Sequence, residues 1–119
     1  MVFMVMPEVG PASEPGELRR LGRGLAYVAL RTGAPVVPLI LGGNHELYLG
    51  RRIVLRVLPA LDAPEPRATP GSTAERAAAR RLTEAFAAHV RTAVMEAHAA
   101  AEPSPGTPTR GRFLTTLFR

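Results

Sequence analysis

The chain has 119 residues, 46% of them apolar and 21% charged, with 15 Lys+Arg against 10 Asp+Glu for a formal net charge of +5, which is one small globular domain's worth of material. Cysteine is absent, so disulfide scaffolds, cysteine-ligated zinc, iron–sulfur clusters and cysteine nucleophiles are excluded. No apolar run reaches the ~18–20 residues of a spanning helix, and the Met1–Met6 stretch has neither the length nor the basic flank of a signal peptide, so a cytoplasmic location is expected.

In chain order, Val2-Phe3-Met4-Val5-Met6 is a short β-prone run stopped by Pro7, and it predicts a buried strand. The Pro- and Gly-dense stretch from Glu8 to Gly16 predicts a loop. From Glu17 to Thr32, apolar residues at Leu18, Leu21, Leu25, Val28 and Ala29 fall in steps of three and four, one face of an amphipathic helix, with Arg19, Arg20, Arg23 and Arg31 mostly off it. Gly22 and Gly24 each cost a helix interior roughly 1 kcal/mol, so the helix either begins near one of them or tolerates them for close approach. Gly33 suits the left-handed residue that ends a helix, and Pro35 blocks continuation.

Pro35 to Leu41 predicts a second strand, apolar on both faces as in a parallel sheet, with Pro38 marking an edge or a bulge. Arg52 to Leu58 predicts a third, with Ile53, Leu55 and Val57 facing one way. Strand, loop, helix and strand in this order make a βαβ unit with a right-handed crossover. Pro59 to Gly71 reads as a stiff connector, and Ser72-Thr73-Ala74-Glu75 as a capping box opening a helix that runs to about Ala101. The apolar side of that helix is Leu82, Phe86, Val90, Ala93 and Ala97, expected to pack on the sheet; Arg76, Arg80, Arg81 and Arg91 face elsewhere. The expected organisation is therefore α/β: residues 1–71 form part of an α/β domain, 72–101 an amphipathic helix, and 102–119 a flexible tail ending in the amphipathic Phe113–Arg119 patch. Three strands and two helices cannot cover both faces of such apolar strands, so the chain reads as part of a larger domain.

Nucleotide and metal chemistry find little support. Gly22-Arg23-Gly24 does not directly follow a strand and lacks the third glycine of a dinucleotide loop, and without lysine there is no Walker loop. His45-Glu46 opens like a zinc-protease helix, but residue 49 is Leu; His89 and His98 have no ligand partner at useful spacing and read as solvated or half-buried helix residues. No metal and no cofactor are expected. The basic balance nominates anionic partners, while only 5% aromatic residues and no Trp leave little for a single-strand stacking platform. A strand end opening into a glycine-rich loop and then a helix is where α/β sheets bind ligands, and Arg19, Arg20 and Arg23 beside it suit an anionic head group.

Met6-Pro7-Glu8, the glycine-rich loop, Gly16-Glu17-Leu18-Arg19-Arg20-Leu21-Gly22-Arg23-Gly24 and then Thr32-Gly33-Ala34-Pro35-Val36-Val37-Pro38 follow one another in an order that resembles the glycerophospholipid acyltransferase family, which includes the 1-acylglycerol-3-phosphate acyltransferases. The resemblance covers the Met6–Leu61 stretch, about half the chain, and takes in the family's Phe-Pro-Glu-Gly-Thr-Arg-Ser loop and its Val-Pro strand. It implies part of an acyltransferase-type sheet and an O-acyltransferase activity of phospholipid biosynthesis. The donor would be an acyl-CoA or acyl-carrier-protein thioester, the acceptor a glycerophosphate-type lipid hydroxyl, and the location cytoplasmic, peripheral at the inner membrane surface; no nucleic acid is expected. Glu8, Gly10 and Ser13 would then shape the acceptor loop and Arg23 would add positive charge. The family's phosphate-binding arginine falls at Ala12, which cannot make that contact.

The family's catalytic His-x-x-x-x-Asp pair has no copy here: five residues after His45, His89 and His98 stand Gly50, Val94 and Pro103. The resemblance therefore implies no catalytic residue in this chain, which alone should be inactive. Either translation begins upstream, making Met1 an internal methionine, or the chain is a truncated remnant; the strand-like Val2–Met6 run favours the first. The alternative is a non-catalytic arginine-rich module that binds anionic lipid surfaces or nucleic acid.

Overall fold

The computed structural model describes residues 2–9, 14–44, 50–62 and 69–103. They form α1 (Gly24–Thr32), β1 (Leu39–Gly42), β2 (Val54–Val57) and α2 (Thr73–Ala101) in that order, a mixed α/β arrangement. The Phe113–Arg119 patch and most of the Pro/Gly-rich tail lie outside the described residues.

Of the two expected starts for the first helix, the later one holds. α1 begins at Gly24, and Gly33 closes it in the left-handed conformation at φ 66°, its N–H donating to the Ala29 carbonyl. The helix buries Ala26, Ala29 and Leu30 and leaves Arg23 and Arg31 exposed.

The sheet corrects the βαβ expectation. β1 and β2 pair antiparallel, Leu39 opposite Val57 and Leu41 opposite Leu55. Val2–Met6 forms no strand; its side chains are 47–95% exposed, and the chain first finds a partner at the Glu8–Leu21 bridge. A β-prone run gains little without a neighbour to complete its ladder, and among the described residues none lies beside it. Pro38 does mark a bulge. The β1–β2 register would set Val36 opposite Ala60, yet Val36 exchanges two 2.8 Å hydrogen bonds with Leu61, so one extra residue sits on the second strand. The proline, which has no N–H to give, contributes only its carbonyl, accepting from Leu58 N at 3.0 Å.

Burial along β1 alternates, with Ile40 and Gly42 inward and Leu39 and Leu41 outward, so a run apolar on both faces is buried on one. Ile53, Leu55 and Val57 share a face as expected, but it is the exposed one; Val54 and Leu58 turn inward. The inner face meets α2, whose Val90, Ala93 and Ala97 pack around Ile40 with Leu18 and Phe86. A second cluster joins Ala79 of α2 to Ala26 and Leu30 of α1. One helix thus carries both halves of the core, and the outward face of the sheet remains an apolar patch.

Its start follows the capping chemistry in part. Ser72 Oγ accepts from Glu75 N at 3.1 Å, as a capping box requires, but the Glu75 carboxylate accepts from Gly71 N at 2.6 Å instead of reaching back to Ser72. No helix among the described residues is long and apolar enough to cross a membrane.

The two faces of the sheet predict opposite mutational responses. Val90→Ala, which removes a side chain only 1% exposed, should cost about 2 kcal/mol from lost transfer energy and the cavity left behind. Leu55→Thr, at 62% exposure, should change stability by about 0.5 kcal/mol or less. Urea unfolding followed by circular dichroism measures both.

Candidate functional site

The candidate loop is closed at its neck by backbone pairing. Gly22 N donates to the Pro7 carbonyl at 2.7 Å and Val9 N to the Arg20 carbonyl at 2.8 Å, on either side of the Glu8–Leu21 bridge. Leu21 is buried, so alternation turns the side chain of its neighbour Arg20 outward, and Arg20 and Glu8 are both exposed. Leu18 packs against the Val90–Ala97 cluster, so the returning limb of the loop is anchored on α2.

Arg23 stands at the N-cap of α1 in a helical conformation with no side-chain cap, and no acidic residue occupies the first helical turn. The positive dipole end of α1, without a side-chain cap, therefore stands beside two exposed arginines, Arg20 and Arg23. Of the four residues expected at the site, Glu8 and Arg23 flank this neck, while Gly10 and Ser13 lie outside the described residues. His45 also lies outside them. His89 is exposed on α2 and His98 is half-buried. Among the described residues no group of His, Asp and Glu could hold a metal ion.

Under the neck, Pro7, Leu21, Leu25, Val36, Leu82 and Phe86 line an apolar cavity of about 20 Å³. It has room for a methyl-sized group and no polar side chain to orient a ligand beyond the Thr83 hydroxyl, which donates to its own helix at the Ala79 carbonyl.

α1 is held in place by an ion pair that the sequence showed only in halves. Arg31 donates to both carboxylate oxygens of Glu75, at 2.8 and 3.2 Å, and stacks over the Tyr27 ring at 5.9 Å. Glu75 is the capping-box acid and Arg31 an off-face helix residue; nothing in the local pattern of either points to the other, 44 positions away. The hydrogen bonds from Arg31, and then that from Gly71 N, hold the Glu75 carboxyl below the usual glutamate range, while the same pairing raises Arg31.

Over 58 residues, 49% of its length, the chain is 38% identical to a 1-acyl-sn-glycerol-3-phosphate acyltransferase of Cocos nucifera. It spans 18% of that protein's length. No family model and no solved structure matches the chain.

The sign of the Glu75 effect follows from its lowered pKa. The folded state prefers the carboxylate, so this stabilisation is complete above the ordinary glutamate range and is lost as pH falls through the lowered value. Glu75→Gln should therefore lower the melting temperature at neutral pH and flatten its acid-side decline, as thermal melts from pH 7 down to pH 3 would reveal. Ser72→Ala at the same helix start should cost about 1 kcal/mol at every pH.

Proposed function

We propose that this chain is the acceptor-binding portion of a glycerolipid-type O-acyltransferase, which moves a fatty acyl group from an acyl-CoA or acyl-carrier-protein thioester to a glycerophosphate-like hydroxyl. The observation that carries the reading is the 38% identity over 58 residues to a protein named 1-acyl-sn-glycerol-3-phosphate acyltransferase. The site supports it in kind. A phosphate-bearing acceptor needs fixed positive charge and unshared N–H donors, and the neck places Arg20 and Arg23 beside the uncapped start of α1. Glu8, Gly10 and Ser13 belong in this reading to the loop that shapes the acceptor's seat.

Attack of the hydroxyl oxygen on the thioester carbonyl requires a base to take the hydroxyl proton as the carbon–sulfur bond breaks. No His-x-x-x-x-Asp pair is present in the sequence. The proposal accordingly gives this chain acceptor binding and leaves proton transfer to groups it does not contain. A peripheral membrane surface, where such acceptors reside, fits the same reading.

Calorimetric titration of the purified chain with glycerol 3-phosphate tests it. Binding should weaken as salt rises and fall by about tenfold in the Arg20→Ala/Arg23→Ala double variant, which removes two charge-assisted contacts. Acyl transfer from a thioester donor by the same chain should stay at background. Equal binding by wild type and double variant would overturn the acceptor site, and turnover above background would overturn the division of labour. Tighter binding of duplex DNA than of glycerol 3-phosphate would replace the reading with an arginine-rich surface module.

A further inference from the structure

We propose that His98 is a positioning residue that holds the returning limb of the loop, residues 14–20, in register with the end of α2. The imidazole is seated on Gly16: a methyl group at that position would overlap the ring, coming within 2.6 Å of Cγ and 3.0 Å of Cβ. Gly16 also has φ +81°, a conformation that side chains disfavour, within a turn closed by Glu17 N donating to the Glu14 carbonyl at 3.2 Å. Glycine is thus required twice over at the point where the loop meets the helix, and the ring fills the space that glycine leaves.

A charged network lies behind the ring. Its Nδ1 lies 3.8 Å from Glu102 Oε1, and that oxygen accepts a 2.8 Å hydrogen bond from Arg51 Nη2. Arg51 has a side chain only 3% exposed and donates through Nε to the Gly43 carbonyl at 3.2 Å, just after β1. From Gly43 through Arg51, Glu102 and His98 to Gly16, polar contacts and packing tie the end of the sheet, the end of α2 and the loop together. The platform beneath is close-set, since Gly42 packs on Ala97 and Gly43 on Ala101, one turn apart on the same helix. The loop then has two more fixed points, Leu18 in the core and the Gly22–Pro7 and Val9–Arg20 hydrogen bonds at its neck. The limb from Gly16 to Arg20 is therefore held at three places, at Gly16 by His98, at the partly buried Leu18, and at Arg20 by the neck.

The consequence for acceptor binding rests on the proposed function; the consequence for the loop does not, and the experiment separates them. Amide hydrogen exchange in the full chain reads the neck directly at Val9 and Gly22. In His98→Ala the exchange of those two amides should accelerate about tenfold, while the Val90 and Ala93 amides of α2 keep their wild-type rates. His98→Phe, which keeps a flat ring on Gly16, should restore both to within about twofold of wild type. Gly16→Ala, which crowds the ring from the other side, should accelerate the same pair. Unchanged exchange at Val9 and Gly22 in His98→Ala, failure of the phenylalanine to rescue, or equal acceleration throughout α2 would each overturn the assignment. Glycerol 3-phosphate titrations on the same variants report on the acceptor reading alone: if wild type does not bind, that reading fails and the exchange result stands.

Discussion

How closely α2 lies on β1 governs almost everything else in this molecule. A side chain on Gly42 would collide with the Ala97 carbonyl, and one on Gly43 would meet the Ala101 methyl at 2.8 Å. Glycine on the strand and alanine on the helix let the two backbones approach until Ile40, Val90 and Ala93 close the core between them. Alanine costs little side-chain entropy and is the strongest helix former, so the same residues that permit the contact also favour the 29-residue helix that makes it. From that seat the helix extends in the other direction to Ala79, where it receives α1. The returning limb of the candidate loop runs between two supports, Leu18 packed against the α2 cluster and the pairing at Arg20 and Gly22.

Elements whose signal is local were legible in the sequence. The helical step of Leu82, Phe86, Val90, Ala93 and Ala97 needs no partner to be recognised, and the Ser72 cap and the Gly33 stop depend on neighbours a few residues away. The strands were legible as strands and illegible as a sheet. Which face of a strand is buried depends on what covers it, and the pattern of Pro35–Leu41 is apolar on both sides. α2 takes the Ile40 and Val54 side, leaving Leu39, Leu41, Leu55 and Val57 outside. Val2–Met6 failed as a strand for the same reason: β-propensity describes fit to a pleated surface, and no such surface lies beside it among the described residues.

The site divides along the same line. A loop after Glu8, leading into a helix bearing Arg23, follows from glycine, proline and periodicity. The contacts that fix the loop do not, because they join Gly16 to His98, Arg51 to Glu102 and Arg31 to Glu75, pairs far apart in the chain. His98 reads locally as a solvated or half-buried helix residue, and the Gly16 it packs on lies across the fold. The spacing of His98 and Glu102, one helical turn apart, was the one local trace of it.

The charge of the molecule gains meaning only when its acids are followed to their partners. Glu75, Glu84, Glu96 and Glu102 each pair with an arginine, namely Arg31, Arg80, Arg56 and Arg51. The acids in α2 and its cap are therefore spent on holding the fold, and four arginines are neutralised with them. The surplus behind the formal +5 includes Arg20 and Arg23, which have no acidic partner among the described residues and stand at the one helix start without an acid in its first turn. The contrast with α2 is instructive: there Glu75 lies in the first turn and Ser72 caps the first N–H groups, so that helix end is already satisfied by its own chain. Two helices begin under opposite electrostatic conditions, one closed by its own sequence and one left uncapped, and the uncapped one lies next to the Glu8–Leu21 neck. Net charge alone spreads the surplus over the whole surface; following the ion pairs shows that Arg20 and Arg23 at the start of α1 share it with arginines elsewhere, such as Arg81 and Arg91 on α2.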